Sequence, residues 1–476
     1  MKRVVVIGGG IAGLSAAYSL REHLKQDEDL EIVILEKNPA TGGNIKTEKI
    51  NGFLIEGGPD CFLSEKPWAM ELCKRLGLAG ELLPTNENNR RTFVLSGGRL
   101  HELPEGVILM IPTRIMPLAL SSLITLRGKL RMALEVFIPR KRSREDETLG
   151  DFVRRRLGRE ALDKIAEPLV AGVHAGDPET MSIRSSFPKF VQLEEEHGSL
   201  IRGMLKRLTS MKKSKAGHNT AGGPAVTMFM TLKGGLSVMI DTLTSDLLKY
   251  GNTSILTGEA ATGVAAIGGG YEVRLENGAL RTDAVIIASP AYAAAALLSG
   301  FDPELSRKLL TIPYVSTATV SLAFKKSGIK HPLNGFGFVV PGAEKRRIMA
   351  ATWTSVKFKH RSPEDSVLMR CFVGGAKNSS LTLLSDEEMV RMVREELKDI
   401  MGIEESPVLA RVYRWKNSMP QYTVGHEERV NRIEEQLAKY PGLYVTGSAY
   451  HGIGISDSVR NGEVVAKKAL HYLFGK

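Results

Sequence analysis

The chain has 476 residues, of which 43% are hydrophobic and 25% charged, and its formal net charge is +11. This length predicts two or three domains with a sizeable buried core. The three cysteines, Cys61, Cys73 and Cys371, are far apart and lack CxxC spacing, which argues against a disulfide framework or a zinc site and fits a reducing cytoplasm. With no secretory signal and no run of about 18 apolar residues, we expect a cytoplasmic protein without a transmembrane helix. The positive charge favours anionic partners.

The N-terminal segment has the pattern of a β-α-β unit. Residues 4–7 are predicted to form a buried parallel strand, a glycine-rich turn follows, and residues 14–24 have helical periodicity. Residues 31–35 predict a second buried strand that ends at Glu36.

The rest of the chain alternates between strand and helix patterns. A hairpin is expected at 96–99, one helix over 148–165, a flexible loop at 212–223, and a helix that opens at 232–236 and runs through 248. Further strands are predicted at 254–256, 262–266, 271–275, 284–288, 315–324, 336–340, 367–373 and 443–446, and further helices at 67–76, at 386–401 and at the C-terminus.

Glycines spaced as G-x-G-x-x-G follow the first strand and open the first helix. The first allows a tight turn, the second lets backbone amides approach a pyrophosphate, and the third lets helix and strand pack closely. The helix N-terminus attracts phosphates, and an acid after the second strand can accept hydrogen bonds from ribose hydroxyls. The candidate cofactor-binding residues of this unit are Gly8, Gly10, Ile11, Ala12, Gly13, Glu36 and Lys37.

Two further glycine pairs follow the second strand, and a glycine-rich turn precedes the last helix. They permit more close approaches of backbone to a cofactor, and the last helix presents a positive N-terminal end there. Their candidate cofactor-binding residues are Gly43, Asn44 and Lys46; Gly57, Gly58, Pro59 and Asp60; and Gly447, Gly452, Gly454, Ile455 and Ser456.

Together these loops resemble those of the flavin-containing amine oxidase superfamily. The resemblance implies an α/β fold: a Rossmann-type FAD-binding domain, a mixed-sheet substrate domain and a helical domain that serves as a lid or contacts membrane. The expected boundaries are 1–80, 225–300 and 425–476 for the FAD-binding domain, 81–107 and 301–424 for the substrate domain, and 108–200 for the helical domain.

The motifs at 167–178, 181–188, 335–341 and 414–422 resemble oxygen-dependent porphyrinogen oxidases, and the resemblance runs almost end to end. It is closest to the Gram-positive type, which acts on coproporphyrinogen III, whereas the classical members act on protoporphyrinogen IX. The resemblance implies a six-electron oxidation in haem biosynthesis through non-covalent FAD, with O2 reduced to hydrogen peroxide. It also implies a hand-over of the porphyrin to a downstream chelatase.

The same resemblance suggests roles for individual residues. Lys66 matches a lysine of the Gram-positive members that could pair with a propionate or assist proton transfer; a solvated lysine is the alternative. His174 is an obvious acid–base candidate that the family does not require. Candidates for substrate binding are Arg91, Gly172, Val173, Phe338 and Phe372, and further cofactor contacts are Ala261 and Trp415.

Several alternatives stay open at this level. The apolar and basic stretch 108–142 could be a membrane-contacting surface, on the inner face of the cell membrane, or the core of a substrate lid. An amine oxidase, a carotenoid-type desaturase or a non-catalytic FAD-binding protein could use the same scaffold. A nucleic-acid role is disfavoured, because the basic residues are dispersed and no recognition motif occurs.

Overall fold

The computed structural model describes residues 1–25, 28–104, 107–108, 111–112, 115–143, 145–215 and 226–475. The strands are β1 (Lys2–Ile7), β2 (Leu30–Glu36), β3 (Thr47–Ile50), β4 (Phe53–Glu56), β5 (Phe62–Leu63), β6 (Leu82–Pro84), β7 (Thr92–Ser96), β8 (Arg99–Glu102), β9 (Val107–Ile108), β10 (Ile111–Pro112), β11 (Phe229–Leu232), β12 (Thr253–Thr257), β13 (Ala261–Ile267), β14 (Gly270–Leu275), β15 (Gly278–Thr282), β16 (Ala284–Ile287), β17 (Tyr314–Lys325), β18 (Gly337–Val339), β19 (Ile348–Thr352), β20 (Ser366–Gly374), β21 (Leu409–Pro420) and β22 (Leu443–Val445).

Helices separate many of these strands. The α-helices are α1 (Ile11–Glu22), α2 (Trp68–Arg75), α3 (Ile115–Leu120), α4 (Leu126–Ala133), α5 (Leu149–Arg156), α6 (Arg159–Ala161), α7 (Glu167–His174), α8 (Ile183–Ser186), α9 (Pro188–His197), α10 (Leu200–Lys215), α11 (Ser237–Leu247), α12 (Ala291–Leu298), α13 (Pro303–Leu310), α14 (Thr354–Lys357), α15 (Gly375–Asn378), α16 (Asp386–Met401), α17 (His426–Leu437) and α18 (Ile455–Phe474).

A five-stranded parallel sheet forms the dinucleotide-binding part, in the order β12-β2-β1-β16-β22. Its central strands are apolar on both faces. Val4 and Val6 pack with α1, α11 and α18, while Val5 and Ile7 pack with α12, α13 and α17. Helices on both faces are what a parallel sheet requires, so the predicted Rossmann-type architecture is confirmed.

A seven-stranded mixed sheet forms the second part, in the order β21-β17-β20-β19-β18-β7-β8. Only β18 and β7 pair in parallel. One face packs on α16, whose bounds agree with the prediction and whose start is fixed by a capping box of Ser385 and Glu388. The opposite face is left for the dinucleotide-binding part and for α7.

The helices from α3 to α10 form a third group with a core of its own. A buried ion pair between Arg156 and Glu135 fastens α5 to the segment after α4. The prediction of one helix over 148–165 is wrong in one respect. Gly158 has φ +94, a left-handed conformation that interrupts the helix between α5 and α6.

Two boundaries differ from prediction. Leu232 closes β11, so the helix expected to open at 232–236 begins only at Ser237. The predicted loop 212–223 is helical as far as Lys215, and residues 216–223 lie outside the described residues. In the described part of the chain, no helix is both long enough and apolar enough to cross a bilayer.

Candidate cofactor and substrate site

The first glycine turn, residues 8–13, joins β1 to α1. Gly8 has φ +114, and a Cβ on Gly13 would lie 2.0 Å from the Gly8 carbonyl oxygen. Gly10 caps α1 in extended conformation, and no acid lies in the first helical turn. The backbone N–H groups of Ile11 and Ala12 therefore begin a helix whose positive end can receive a phosphate.

Glu36 lies where β2 ends, beside this turn. One carboxylate oxygen accepts a hydrogen bond from Gly9 N at 2.8 Å, and the other accepts from the backbone and side-chain nitrogens of Asn38 at 2.9 and 2.6 Å. Lys37 next to it is exposed, and Ala261 begins β13, two residues after Glu259, whose N–H donates to the Glu36 carbonyl. Glu36 is thus held beside the first glycine turn, at the carboxyl end of β2.

Three glycine turns stack on one another. Gly10 and Gly42 form a parallel bridge, and a Cβ on Gly43 would lie 3.3 Å from the Gly10 Cα. A Cβ on Gly58 would in turn overlap the Asn44 carbonyl oxygen, at 1.7 Å. The three turns make a continuous backbone track, which we call the glycine track, from the start of α1 to the free face of the mixed sheet. Lys46, on the exposed side of the second turn, lies 5.6 Å from the ring centre of Tyr413.

Side chains of the mixed sheet hold the third turn by donating hydrogen bonds to the carbonyl groups of that turn. Gly57 O accepts hydrogen bonds from the Thr319 hydroxyl at 2.8 Å and from Trp415 Nε1 at 2.9 Å, and Gly58 O accepts one from the Arg370 guanidinium. A Cβ on Gly57 would lie 2.8 Å from the Tyr413 ring. Only glycines fit these positions without displacing the sheet.

Asp60, after Pro59 in the third turn, belongs to a buried group of polar side chains. Lys357 Nζ lies 3.0 Å from an Asp60 oxygen and 3.4 Å from Cys61 Sγ, and Cys61 donates to Asp60. Burial alone would raise the pKa of Asp60, but Lys357 and Arg370 more than offset this and hold it well below its usual range. Burial raises the pKa of the Cys61 thiol to about 12, which keeps it protonated.

Glu56, directly before the third turn, is also buried. Burial raises the pKa of its carboxyl to about 7, against hydrogen bonds from the Thr47 hydroxyl and the Leu236 backbone N–H. It joins the β3–β4 hairpin to the start of α11.

The glycine-rich turn that precedes α18 also belongs to the candidate site. Gly447 and Gly452 have φ +118 and +101, and Tyr422 closes the turn by donating to Ser448 O and accepting from Gly452 N, both at 2.7 Å. Gly454 is the N-cap of α18, so the first residues of that helix, Ile455 and Ser456, point their backbone N–H groups toward the site.

Lys66 is bound to the N-terminus of α18. Its Nζ lies 2.8 and 2.6 Å from the two carboxylate oxygens of Asp457, and Ser456 donates to its carbonyl group at 2.9 Å. The Lys66 side chain keeps 42% of its surface exposed, whereas that of Asp457 keeps 8%. The lysine therefore remains accessible while its charge is paired.

Several of the predicted substrate residues lie where α7 meets the free face of the mixed sheet. A Cβ on Gly172 would lie 3.4 Å from Val339 and 3.8 Å from Ala350. Phe372 pairs with Ala350 in the sheet, and Val173, the next residue of α7, is 62% exposed. Phe372 also pairs with Thr319, whose hydroxyl donates to Gly57 O. These residues therefore lie close to the third glycine turn.

Other predicted residues lie elsewhere. The ring of Phe338 is 1% exposed and packs in the core against α16, on the opposite face of the sheet. Arg91, just before β7, has a side chain that is 53% exposed and 3.7 Å from Glu102. His174 stacks edge-on against Phe187, and burial together with the Lys66 charge lowers the pKa of its imidazole to about 4, which makes it a poor proton acceptor at neutral pH.

Four residues of the site were not predicted from the sequence: Arg370, Lys357, Thr319 and Asp457. Arg370 could have been found, since it is the one charged residue in the apolar strand Ser366–Gly374. The other three gave no comparable pattern: each acts through a partner more than 250 positions away in the chain.

The site fits a dinucleotide. The glycine track leaves backbone amides without side chains in front of them, and two buried hydroxyls at the carboxyl edge of the parallel sheet, those of Ser289 and Thr446, have no hydrogen-bond partner among the described residues. Among those residues, no cluster of three or more His, Cys, Asp or Glu side chains could hold a metal ion. The arrangement can bind a phosphate-linked cofactor along the track.

Comparison with known proteins gives consistent results. Residues 11–470 match the model of the flavin containing amine oxidoreductase family. The chain is 38% identical to coproporphyrinogen III oxidase of Bacillus subtilis, over 99% of both chains, and 29% identical to human protoporphyrinogen oxidase, over 98% of both. A crystal structure of a provisionally named protoporphyrinogen oxidase from Exiguobacterium sp. 255-15 superposes with a TM-score of 0.84 at 32% identity, over 98% of both chains.

Proposed function

Because this chain belongs to the flavin-containing amine oxidoreductase family, we propose that it is a porphyrinogen oxidase of haem biosynthesis. The reaction removes six electrons from a porphyrinogen in three two-electron steps and reduces O2 to hydrogen peroxide. The observation that carries the proposal is the end-to-end similarity to porphyrinogen oxidases, combined with a glycine track that fits a dinucleotide cofactor.

We propose FAD, held without a covalent bond, as the flavin. Gly8, Gly10 and Gly13 suit its pyrophosphate, and Glu36 suits the adenosine ribose. The segment 443–456, which faces the reactive end of the track, contains no cysteine for covalent attachment.

When bound, the flavin supplies the electron acceptor for the substrate and the donor for O2. The side chains of the protein position the cofactor and the substrate and exclude water from them. Thr319, Trp415 and Arg370 fix the third turn through its carbonyl groups, and Gly172 and Phe372 lie where α7 meets the free face of the mixed sheet. Lys66, accessible at the N-terminus of α18, offers a positive charge to a propionate or takes part in proton transfer.

Coproporphyrinogen III is the substrate we propose first, because the coproporphyrinogen oxidase of Bacillus subtilis shares more of the sequence than the human protoporphyrinogen oxidase does. The two substrates differ in two side groups, a pair of propionates against a pair of vinyls. The positive charge of Lys66, which is accessible at the N-terminus of α18, favours the substrate with more carboxylates.

Aerobic turnover of the purified flavin-loaded protein with both porphyrinogens, followed by porphyrin fluorescence, tests the function. We expect oxidation of coproporphyrinogen III with a kcat/KM at least tenfold above that for protoporphyrinogen IX. Preference for protoporphyrinogen IX would reassign the substrate. If neither is oxidised above the spontaneous rate while flavin is bound, the proposal is wrong, and amines and polyenes are the substrates to screen.

We further propose peripheral contact with the inner face of the cell membrane. Leu126, Leu130 and Leu134 recur every four residues on α4 and its extension and are 72, 59 and 53% exposed. They form an exposed apolar stripe, and Met116, Leu120 and Phe137, which precede and follow it in the chain, are exposed as well. Exposed arginines at 127, 140 and 142 flank it, a composition suited to an anionic lipid surface.

Co-sedimentation with phosphatidylglycerol vesicles at low and physiological salt tests this contact. Leu130→Glu should weaken binding severalfold, whereas Leu383→Glu, a change at an 84% exposed leucine outside the stripe, should not. Absence of binding at both salt concentrations would rule the contact out. Hand-over of the product to a chelatase stays a prediction.

A further inference from the structure

Arg370 is a buried cation on the free face of the mixed sheet. It lies in β20, where Met369 and Cys371 point to the core on the opposite side, and its residue is only 4% exposed. The guanidinium donates to Gly58 O and lies 4.8 Å from the ring centre of Phe372. Its Nε has no hydrogen-bond partner among the described residues. Burying a charged group without full hydrogen bonding lowers the stability of the fold, which points to a functional reason for this arginine.

The charges around Arg370 do not cancel. Lys357 pairs with Asp60 at 3.0 Å, and Arg370, which interacts with Asp60 over a longer range, has no carboxylate within 4 Å among the described residues. The next nearest acid, Glu56, is only partly ionised at neutral pH, since its pKa is about 7, and Arg361 beside it adds another buried cation. The buried side chains under the third glycine turn therefore hold a net positive charge.

This charge lies at one end of the glycine track. The ribose position at Glu36 and the helix N-terminus at Gly10 mark the other end, where the adenosine and the phosphates would bind. A flavin bound in this direction would have its ring near Gly58, whose carbonyl group accepts a hydrogen bond from Arg370. In surroundings of low dielectric constant, a charge interacts more strongly with a neighbouring group than it would in water.

We propose that Arg370 sets the reduction potential of the flavin. A fixed positive charge beside the ring stabilises the reduced form, which is anionic, over the oxidised form, which is neutral. Arg370 acts as a positioning residue as well, because it fixes the Gly58 carbonyl. The inference rests on the flavin placement proposed above and is independent of which substrate is oxidised.

The test is the midpoint potential of the bound flavin, measured by anaerobic titration against reference dyes without substrate. Arg370→Gln should lower the ratio of reduced to oxidised flavin about tenfold at a given potential, which for a two-electron couple is a shift of about −30 mV. Asp60→Asn, which removes a negative charge from the same cluster, should shift the potential in the opposite direction. Arg370→Lys keeps the charge and should shift it less than Arg370→Gln.

Lys325→Gln is the matched control, since it removes a cation from the exposed end of the neighbouring strand β17 and should leave the potential unchanged. Opposite shifts in Arg370→Gln and Asp60→Asn support the electrostatic role, because a purely structural role has no reason to reverse sign. If both potentials stay at the wild-type value, or both fall, the inference is overturned. Should Arg370→Gln fail to bind flavin, Arg370→Lys and Asp60→Asn still decide the question. Since no substrate is present, failure of porphyrinogen turnover is distinguishable from failure of this inference.

Discussion

At the scale of single residues, the pair of Lys66 and Asp457 joins the loop before α2 to the start of the last helix. Asp457 is buried and holds both the Gly454 N–H, at 3.3 Å, and the Lys66 ammonium. A lysine that is paired at its inner side and exposed at its outer side can meet an anionic substrate without the cost of burying a free charge.

Replacing Lys66 by Met should lower kcat/KM for the porphyrinogen at least tenfold, because the substrate loses a positive partner and Asp457 is left unpaired. Flavin content should stay near that of the wild type. Steady-state kinetics with flavin absorbance measures both. Lys189→Met, at an exposed lysine paired with Glu65, is the control and should change neither. Wild-type kinetics in Lys66→Met would assign the lysine to the solvated surface instead.

At the scale of secondary-structure elements, the first turn depends on the contact of α1 with β1. Gly13→Ala should abolish tight flavin binding, because its Cβ would overlap the Gly8 carbonyl oxygen at 2.0 Å. Gly80→Ala, where a Cβ meets nothing within 4 Å, should bind normally. Fluorescence titration of the apoproteins with FAD measures the difference, and equal affinities would contradict this account of the turn.

His426 begins α17 and is buried against Tyr422, with its ring 3.8 Å away and Nε2 near Tyr450 O at 3.1 Å. Burial, aided by the Arg429 charge, lowers the pKa of its imidazole to about 4. The unfolded chain, with a pKa near 6.5, then binds the proton more readily, so the free energy of unfolding falls as the pH drops from about 6.5 to about 4.

When the pH is lowered from 7 to 5, the free energy of unfolding should therefore fall by about 2 kcal/mol less in His426→Asn than in the wild type. Urea unfolding at both pH values measures this difference. His451→Gln, at an exposed histidine beside Glu434, is the control and should follow the wild type. An equal pH dependence in His426→Asn would mean that the imidazole is protonated in the folded protein as well.

At the scale of the whole molecule, the site draws on both ends of the chain. The first turn, the mixed sheet and the start of α18 all contribute, so a bound flavin connects elements separated by more than 400 residues. Ligand that binds only the folded state stabilises it by about 2.7 kcal/mol at a hundredfold excess over Kd. We expect the holoprotein to melt several degrees above the apoprotein in scanning calorimetry. Equal melting temperatures would contradict the proposal that flavin binds at this site.

The sequence was most informative where neighbouring residues interact. The spacing of Gly8, Gly10 and Gly13, with Glu36 after the next strand, predicts the β-α-β unit because turn, helix start and strand end are all local. The period of 386–401 predicts α16 to the residue, since its apolar face and its capping box lie within one segment. By contrast, Gly158 interrupts a helix whose periodicity continues across it.

Only the tertiary structure decided which distant side chains meet. Phe338 and Phe372 are both aromatic residues of strands, yet one faces α16 and the other faces the site, because the pleat and the register of each strand set the direction of its side chains. Arg370 beside Gly58 and Lys66 beside Asp457 depend on how the two sheets pack. The local chain therefore determined the cofactor turn and the elements, while long-range packing, which no spacing in the sequence encodes, determined the charges around it.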